Sequence, residues 1–385
     1  MERRSFLAFA GGALCLRAVP ACAAPARALR EIASPKGIAI GSIFSHAASE
    51  DERQLIRQHC DVVVTENALK PNWLYRALIK PGTLQSEKAC GDVSPLQDKD
   101  ETCLKLVDTT LDFAKASNLG IHGHPVYWAK HGLPGIEALD EDSYTAAWEA
   151  HIERLVAHVP DAVSWDVINE PFSKDLDRLR AGGSMALEAD KVLGADWERL
   201  LDHYAFVIKT LRRVLEPHQK TPRLLLNEAE LDGTGDAHQR KRALLPALLA
   251  GLESRHAKLD GVGLQCHLSM RSRPDGAATA TFIRNLAADG YVAHISELDF
   301  RATCGTADSA EAVQASYVGD FLDQVLAEPS VKRLSFWGLS DENHVFTRDR
   351  RDDFAKLSPT LFGANRRPKA VFDRIVAAIE AAPER

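Results

Sequence analysis

The chain has 385 residues, 45% of them hydrophobic and 26% charged, with a formal net charge of −7. That is ordinary globular composition, enough for one large barrel or two medium domains. The acidic balance offers no electrostatic footprint for nucleic acid or anionic lipid, and past the N-terminal stretch no apolar run reaches the roughly 18 residues a membrane span needs.

The opening stretch reads as an export signal. "MERRSFLAFAGGALCLRAVPACA" has a basic start with Arg3-Arg4, an apolar stretch from Phe6 to Leu16, and small residues around Ala21-Cys22-Ala23 that suit a signal peptidase. A twin-arginine-like signal over 1–23 is therefore expected, followed by a lead-in at 24–35 and one domain from 36 to 385, in an exported, periplasmic or secreted protein. Its removal takes three Arg and one Glu and leaves a net charge of −9. Cys60, Cys90, Cys103, Cys266 and Cys304 remain, so an oxidising compartment leaves at least one of them free or paired between chains. No C-x-x-C occurs, so the cysteines do not have zinc-site spacing.

From residue 36 short apolar runs alternate with longer amphipathic ones. Strands are predicted at 37–43, 61–67, 119–125, 162–169, 223–227, 261–267, 291–297 and 333–338. Between them, Leu104, Val107, Leu111 and Ala114 mark one helix. Trp197, Leu200, Leu201, Tyr204, Val207, Ile208, Leu211, Val214 and Leu215 mark another over 196–215. Near-continuous apolar strands separated by helices imply a parallel sheet covered by those helices. Eight such units predict an α/β fold, a closed (β/α)8 TIM barrel, as a single domain with no linker dividing it.

In such a barrel the C-terminal ends of the strands converge on one cavity. The predicted strands end at Glu66 and Asn67, His122 and His124, Asn169 and Glu170, Asn227 and Glu228, Gln265 and His267, Glu297 and Asp299, and Trp337. Strands must stop somewhere, so some of these polar residues need no special reason. Two glutamates following buried runs, in "WDVINEP" and "HISELDF", are harder to dismiss, because a buried carboxylate is costly unless paired or used. Paired carboxylates across one cavity suit cleavage of a glycosidic bond, where one gives a proton to the leaving oxygen and the other stabilises or bonds to the anomeric carbon.

"TENALK", "GHPVYW", "WDVINEP", "GLQCHLS", "HISELDF", "FWGLSDEN" and "LFGANRRPKAVFDRI" together resemble glycoside hydrolase family 10, the retaining endo-β-1,4-xylanases, over almost the whole chain past the signal. The resemblance implies that Glu170 is the acid/base and Glu297 the nucleophile. It further implies that Asn169 hydrogen-bonds the sugar 2-hydroxyl, that His267 bonds the nucleophile with Asp299 orienting it, and that Gln265 contacts the sugar beside the cleavage point. Glu66, Asn67 and Lys70 resemble the set for the next sugar on the non-reducing side, His124 and Trp128 the cleavage subsite, and Trp337 its aromatic floor. The substrate implied is xylan or a related plant polysaccharide, with no cofactor or metal, and a monomer is expected.

The chain also departs from the family pattern. Val345 stands where a second tryptophan is usual, with His344 or Phe346 expected to cover part of that surface, and Ala229 and Glu230 replace a tyrosine and an asparagine that shape the leaving-group side. His122 replaces an arginine, and Ala129 a common histidine. Two other readings compete. His122 and His124, two apart on a strand, share a face as metal ligands do in a metal-dependent hydrolase on the same barrel. A non-catalytic carbohydrate-binding barrel would hold a glycan without cutting it.

Overall fold

The computed structural model describes residues 27–74, 104–172, 197–302 and 307–385, apart from 129, 131, 134–135, 137–138, 343, 345–357 and 364–365. The expected export signal, Cys90, Cys103, Cys304, Ala129, Val345 and Phe346 lie outside the described residues.

Among the described residues nine strands run in chain order: β1 (Ala39–Phe44), β2 (Val62–Thr65), β3 (Gly120–Gly123), β4 (Ser164–Asn169), β5 (Arg223–Glu228), β6 (Gly261–Leu264), β7 (His267–Ser269), β8 (Val292–Arg301) and β9 (Val331–Phe336). Every pairing among them is parallel. Strand β6 pairs with β8, and β9 with β1, so eight strands close on themselves and β7 hangs as a short extra strand on the far end of β8. The helices between them are α1 (Leu29–Ala33), α2 (Glu50–His59), α3 (Pro71–Leu74), α4 (Leu104–Ser117), α5 (Glu141–His158), α6 (Trp197–Leu215), α7 (Asp236–Ser254), α8 (Gly276–Ala288), α9 (Ala307–Val325) and α10 (Ala370–Ala381). This is the (β/α)8 barrel the alternating pattern predicts.

Local chemistry explains the elements. Ser49 caps α2 by accepting the Glu52 N–H, Asp140 caps α5 by accepting that of Ser143, and Asp275 caps α8 by accepting that of Ala278. Helix α6 lays Leu200, Leu201, Tyr204, Val207, Ile208, Leu211 and Leu215 into the core, with Trp197 and Val214 packed at its margin. Each such side chain removed from water contributes roughly 1.5–3 kcal/mol, which is what holds the helix ring on the barrel.

Two strands differ from expectation. The predicted strand at 261–267 is interrupted after Leu264, where Cys266 takes a left-handed backbone (φ 57°), although Gln265 still donates to the Glu228 carbonyl and accepts the Glu297 N–H. Pairing resumes in β7, where His267 lies opposite Asp299. Strand β8 accordingly runs four residues past the predicted end, to Arg301.

The two ends of the described chain are fastened together at the strands' N-terminal side. Helix α1 packs on α10, Arg27 pairs with Glu380 at 2.7 Å, and the Arg385 guanidinium donates to the carbonyls of Val331 and Leu326.

Candidate active site

At the opposite end an open cleft of about 440 Å³ is lined by Lys70, His124, Trp128, Asn169, Glu170, Gln265, His267, Glu297 and Trp337. These nine lie in or just after β2, β3, β4, β6, β7, β8 and β9, so closure of the barrel brings them together. Of the other expected residues, Asn67 accepts from Lys70 Nζ at 2.9 Å and Glu66 is buried near that ammonium. Asp299 stands behind His267.

Glu297 is buried, and both of its oxygens are held. His267 Nε2 donates to Oε2 at 3.0 Å and Asn227 Nδ2 to Oε1 at 2.7 Å. Burial pushes its carboxyl up, yet the His267 hydrogen bond and the charges of His124 and His267 outweigh that and hold it below the usual carboxylate value. His267 reaches on through Nδ1 to Asp299 Oδ2 at 3.0 Å, and His344 Nε2 donates to the same oxygen at 3.2 Å. Burial disfavours the His267 charge, but the flanking carboxylates Asp299 and Glu297 prevail and raise it to about 10. Asp299 is held well below its ordinary range, since the charges and bonds of His267 and His344 overcome its burial. His344 therefore does not cover sugar surface beside Trp337. It is fully buried and supports the row behind Glu297.

Glu170 faces the same cleft, half-buried, in a left-handed backbone (φ 51°) that a non-glycine residue adopts only under constraint. Trp128 Nε1 donates to its Oε2 at 3.2 Å and Gln265 Nε2 to its Oε1 at 3.3 Å. One carboxylate is thus gripped by an ionised imidazole and an amide, the other by two weaker neutral donors. The two tryptophans flank Lys70, whose Nζ lies 4.9 Å from the Trp128 ring and 5.7 Å from that of Trp337. Burial depresses the Lys70 ammonium against the pull of Glu297, Glu66 and Glu170.

Asn227 was legible as a strand-end polar residue but without a role. Its register opposite Asn169 gives it one: Nδ2 donates to both Asn169 Oδ1 (2.9 Å) and Glu297 Oε1, while Oδ1 accepts from Ser296 Oγ (2.6 Å). Asp166 was also missed. It accepts from His124 Nδ1 at 2.8 Å, and His122 Nε2 lies 2.9 Å from the same oxygen. The two imidazoles thus converge on one carboxylate inside the barrel. His122 is buried below the cleft, its Nδ1 2.7 Å from Ser164 Oγ, where the Arg333 guanidinium also donates from β9. Burial and that guanidinium lower His122 to about 4, and Asp166 is held strongly ionised against its burial by the two histidines. Ala229 and Glu230 line the other flank of the cleft with Asp232, His238, Ser269, Ser272 and Arg301. Cys60 and Cys266 are buried free thiols.

A parallel barrel with two carboxylates and two tryptophans at the C-terminal ends of its strands defines a carbohydrate-processing class of site. The glycosyl hydrolase family 10 profile matches residues 28–378, and the chain belongs to that family. It is 23% identical to endo-1,4-beta-xylanase A of Thermoanaerobacterium saccharolyticum, covering 91% of this chain and 27% of that protein. It is likewise 23% identical to endo-1,4-beta-xylanase B of Paenibacillus barcinonensis, covering 88% and 94%. The chain thus spans about a quarter of the length of the first relative and nearly all of the second. Xylanase 10B of Thermotoga petrophila, solved with xylobiose, superposes with a TM-score of 0.72 at 20% identity, covering 92% of this chain and 97% of that one.

Proposed function

We propose that this chain is a retaining glycoside hydrolase, endo-1,4-β-xylanase-like, that cleaves the β-1,4 bonds of xylan or a related plant polysaccharide by double displacement. Glu297 attacks the anomeric carbon while Glu170 protonates the departing oxygen, and Glu170 then draws a proton from the water that releases the sugar. The observation that carries the reading is the unequal setting of two carboxylates in one cleft. Glu297 is kept ionised and aimed by His267 and Asn227, as a nucleophile requires, whereas Glu170 has no cation within the bonds it makes. Asn169, turned by Asn227, serves the sugar 2-hydroxyl. Trp128 and Trp337 take the apolar sugar face, and Lys70, Glu66, Asn67, His124 and Gln265 take the hydroxyl rim. Asp299 orients His267. The relatives' names support xylan as the substrate. Export through the 1–23 segment and action as a monomer, away from nucleic acid and without a membrane span, complete the reading.

Proton NMR of the first product tests it, with an initial β-anomer expected from a β-glycoside. Glu297→Ala should abolish turnover, whereas Glu170→Ala should spare the first step for aryl glycosides whose leaving group needs no proton. An initial α-anomer, equal loss on activated and unactivated substrates, or tight glycan binding without any product would overturn it.

A further inference from the structure

We propose that a buried ion pair, Glu228 with Lys241, is a positioning device for the loop that carries Glu170. The inference rests on reading Glu170 as the proton donor. Glu228 ends β5 and is fully buried. Its Oε2 accepts the N–H of Phe172, two residues past Glu170, at 3.0 Å, and its Oε1 accepts the N–H of Ala229 at 2.9 Å. Lys241, itself buried on α7, caps the same oxygen at 2.8 Å and also reaches Ala229 O at 3.2 Å and Glu230 Oε2 at 3.2 Å. The residue before Glu228 completes the grip, since Asn227 O accepts the Glu170 N–H at 2.8 Å. Adjacent residues of β5 thus pin Glu170 at its own amide and two residues beyond it.

The pair makes little sense as a source of stability. Two charges taken out of water gain little over apolar side chains of the same volume. What they do supply is direction, through charge-assisted bonds of fixed geometry. Glu170 needs that, because its left-handed backbone persists only where the surroundings over-determine it. A proton donor displaced by about 1 Å can lose on the order of 100-fold in rate. Such a loss would fall only on substrates that need the proton.

That selectivity is the test. We would compare kcat/KM, which reports the first irreversible step, for xylotetraose and for 2,4-dinitrophenyl β-xylobioside in the wild type, Glu170→Ala, Lys241→Met and the double variant Glu228→Leu with Lys241→Met. The double variant removes both buried charges together and so leaves none orphaned. We expect Lys241→Met and the double variant to lose about 10-fold or more on xylotetraose and under about 3-fold on the dinitrophenyl substrate, a weaker copy of the Glu170→Ala split. Lys241→Arg should lose less on xylotetraose than Lys241→Met. Equal losses on both substrates, no loss, or a double variant that does not fold would overturn the positioning role while Glu170→Ala still shows its split. If Glu170→Ala shows no split, the reading of Glu170 itself fails and the inference falls with it.

Discussion

Asn227 shows how much one side chain can carry at the floor of the cleft. A single amide donates to Asn169 and to Glu297, and its oxygen accepts from Ser296, so all three neighbours are aimed by one residue. Asn227→Ala would leave a buried carboxylate short of a donor, and hydrogen bonds to charged groups are worth about 1.5–3 kcal/mol. A loss of roughly 10- to 100-fold in kcat/KM is expected, visible on activated and unactivated substrates alike because Glu297, as the proposed nucleophile, acts on both. Steady-state kinetics on the same two substrates checks it. The two cleft glutamates, Glu170 and Glu297, were readable from "WDVINEP" and "HISELDF", since a glutamate ending a buried run is conspicuous. The roles of Asn227, Asp166 and His344 were not, because an asparagine at a strand end is ordinary, and what it touches depends on cross-strand register that no local pattern reveals.

Strands β5, β6 and β8 meet around Gly263, and the absence of a side chain there is what lets Asn227 in. A Cβ at 263 would stand 2.4 Å from Asn227 Oδ1 and 3.3 Å from Ser296 Oγ. Gly263→Ala should therefore destabilise the fold by about 1–3 kcal/mol through overpacking and lower activity in the same way as Asn227→Ala. Trimming Asn227 to Ala in the same chain makes room, so the double variant should unfold at higher denaturant than Gly263→Ala alone; a denaturant titration of the three variants measures that coupling. Most strands and the α6 helix were legible because apolar runs and three-and-four spacing record burial directly. The break at Gln265-Cys266 was hidden, since cysteine carries no turn signal and "GLQCH" reads as one continuous strand. That break has a purpose in the geometry: it restarts pairing with His267 opposite Asp299, so the ladder itself sets the imidazole beside its carboxylate.

Across the whole molecule, buried titratable groups should set a stability optimum near neutrality. His59 and His122 are lowered to about 4, and His151 and His203 to about 3, chiefly by burial. Groups lowered below the unfolded value of about 6.5 contribute stability that is present above it and lost as pH falls through their folded values. Glu297, Asp299 and Asp166, also lowered, add to the acid loss below the ordinary carboxylate range. His267, raised to about 10, has the opposite sign, with its contribution fully present below pH ~6.5 and declining as pH climbs toward 10. Urea midpoints should thus peak near pH 6–7, and His267→Asn should flatten the alkaline limb and weaken the part of the acid limb that Glu297 and Asp299 contribute, since His267 helps hold both low, while the part set by the four buried histidines stays. An alkaline limb as steep in the variant as in the parent would contradict this assignment.

The clasp between α1, α10 and Arg385 lies on the far side of the barrel from the cleft. Cargo coupled at the carboxyl terminus, whether a solid bead or a second folded module, would ride beneath the barrel and leave the mouth turned outward, free to meet an insoluble fibre.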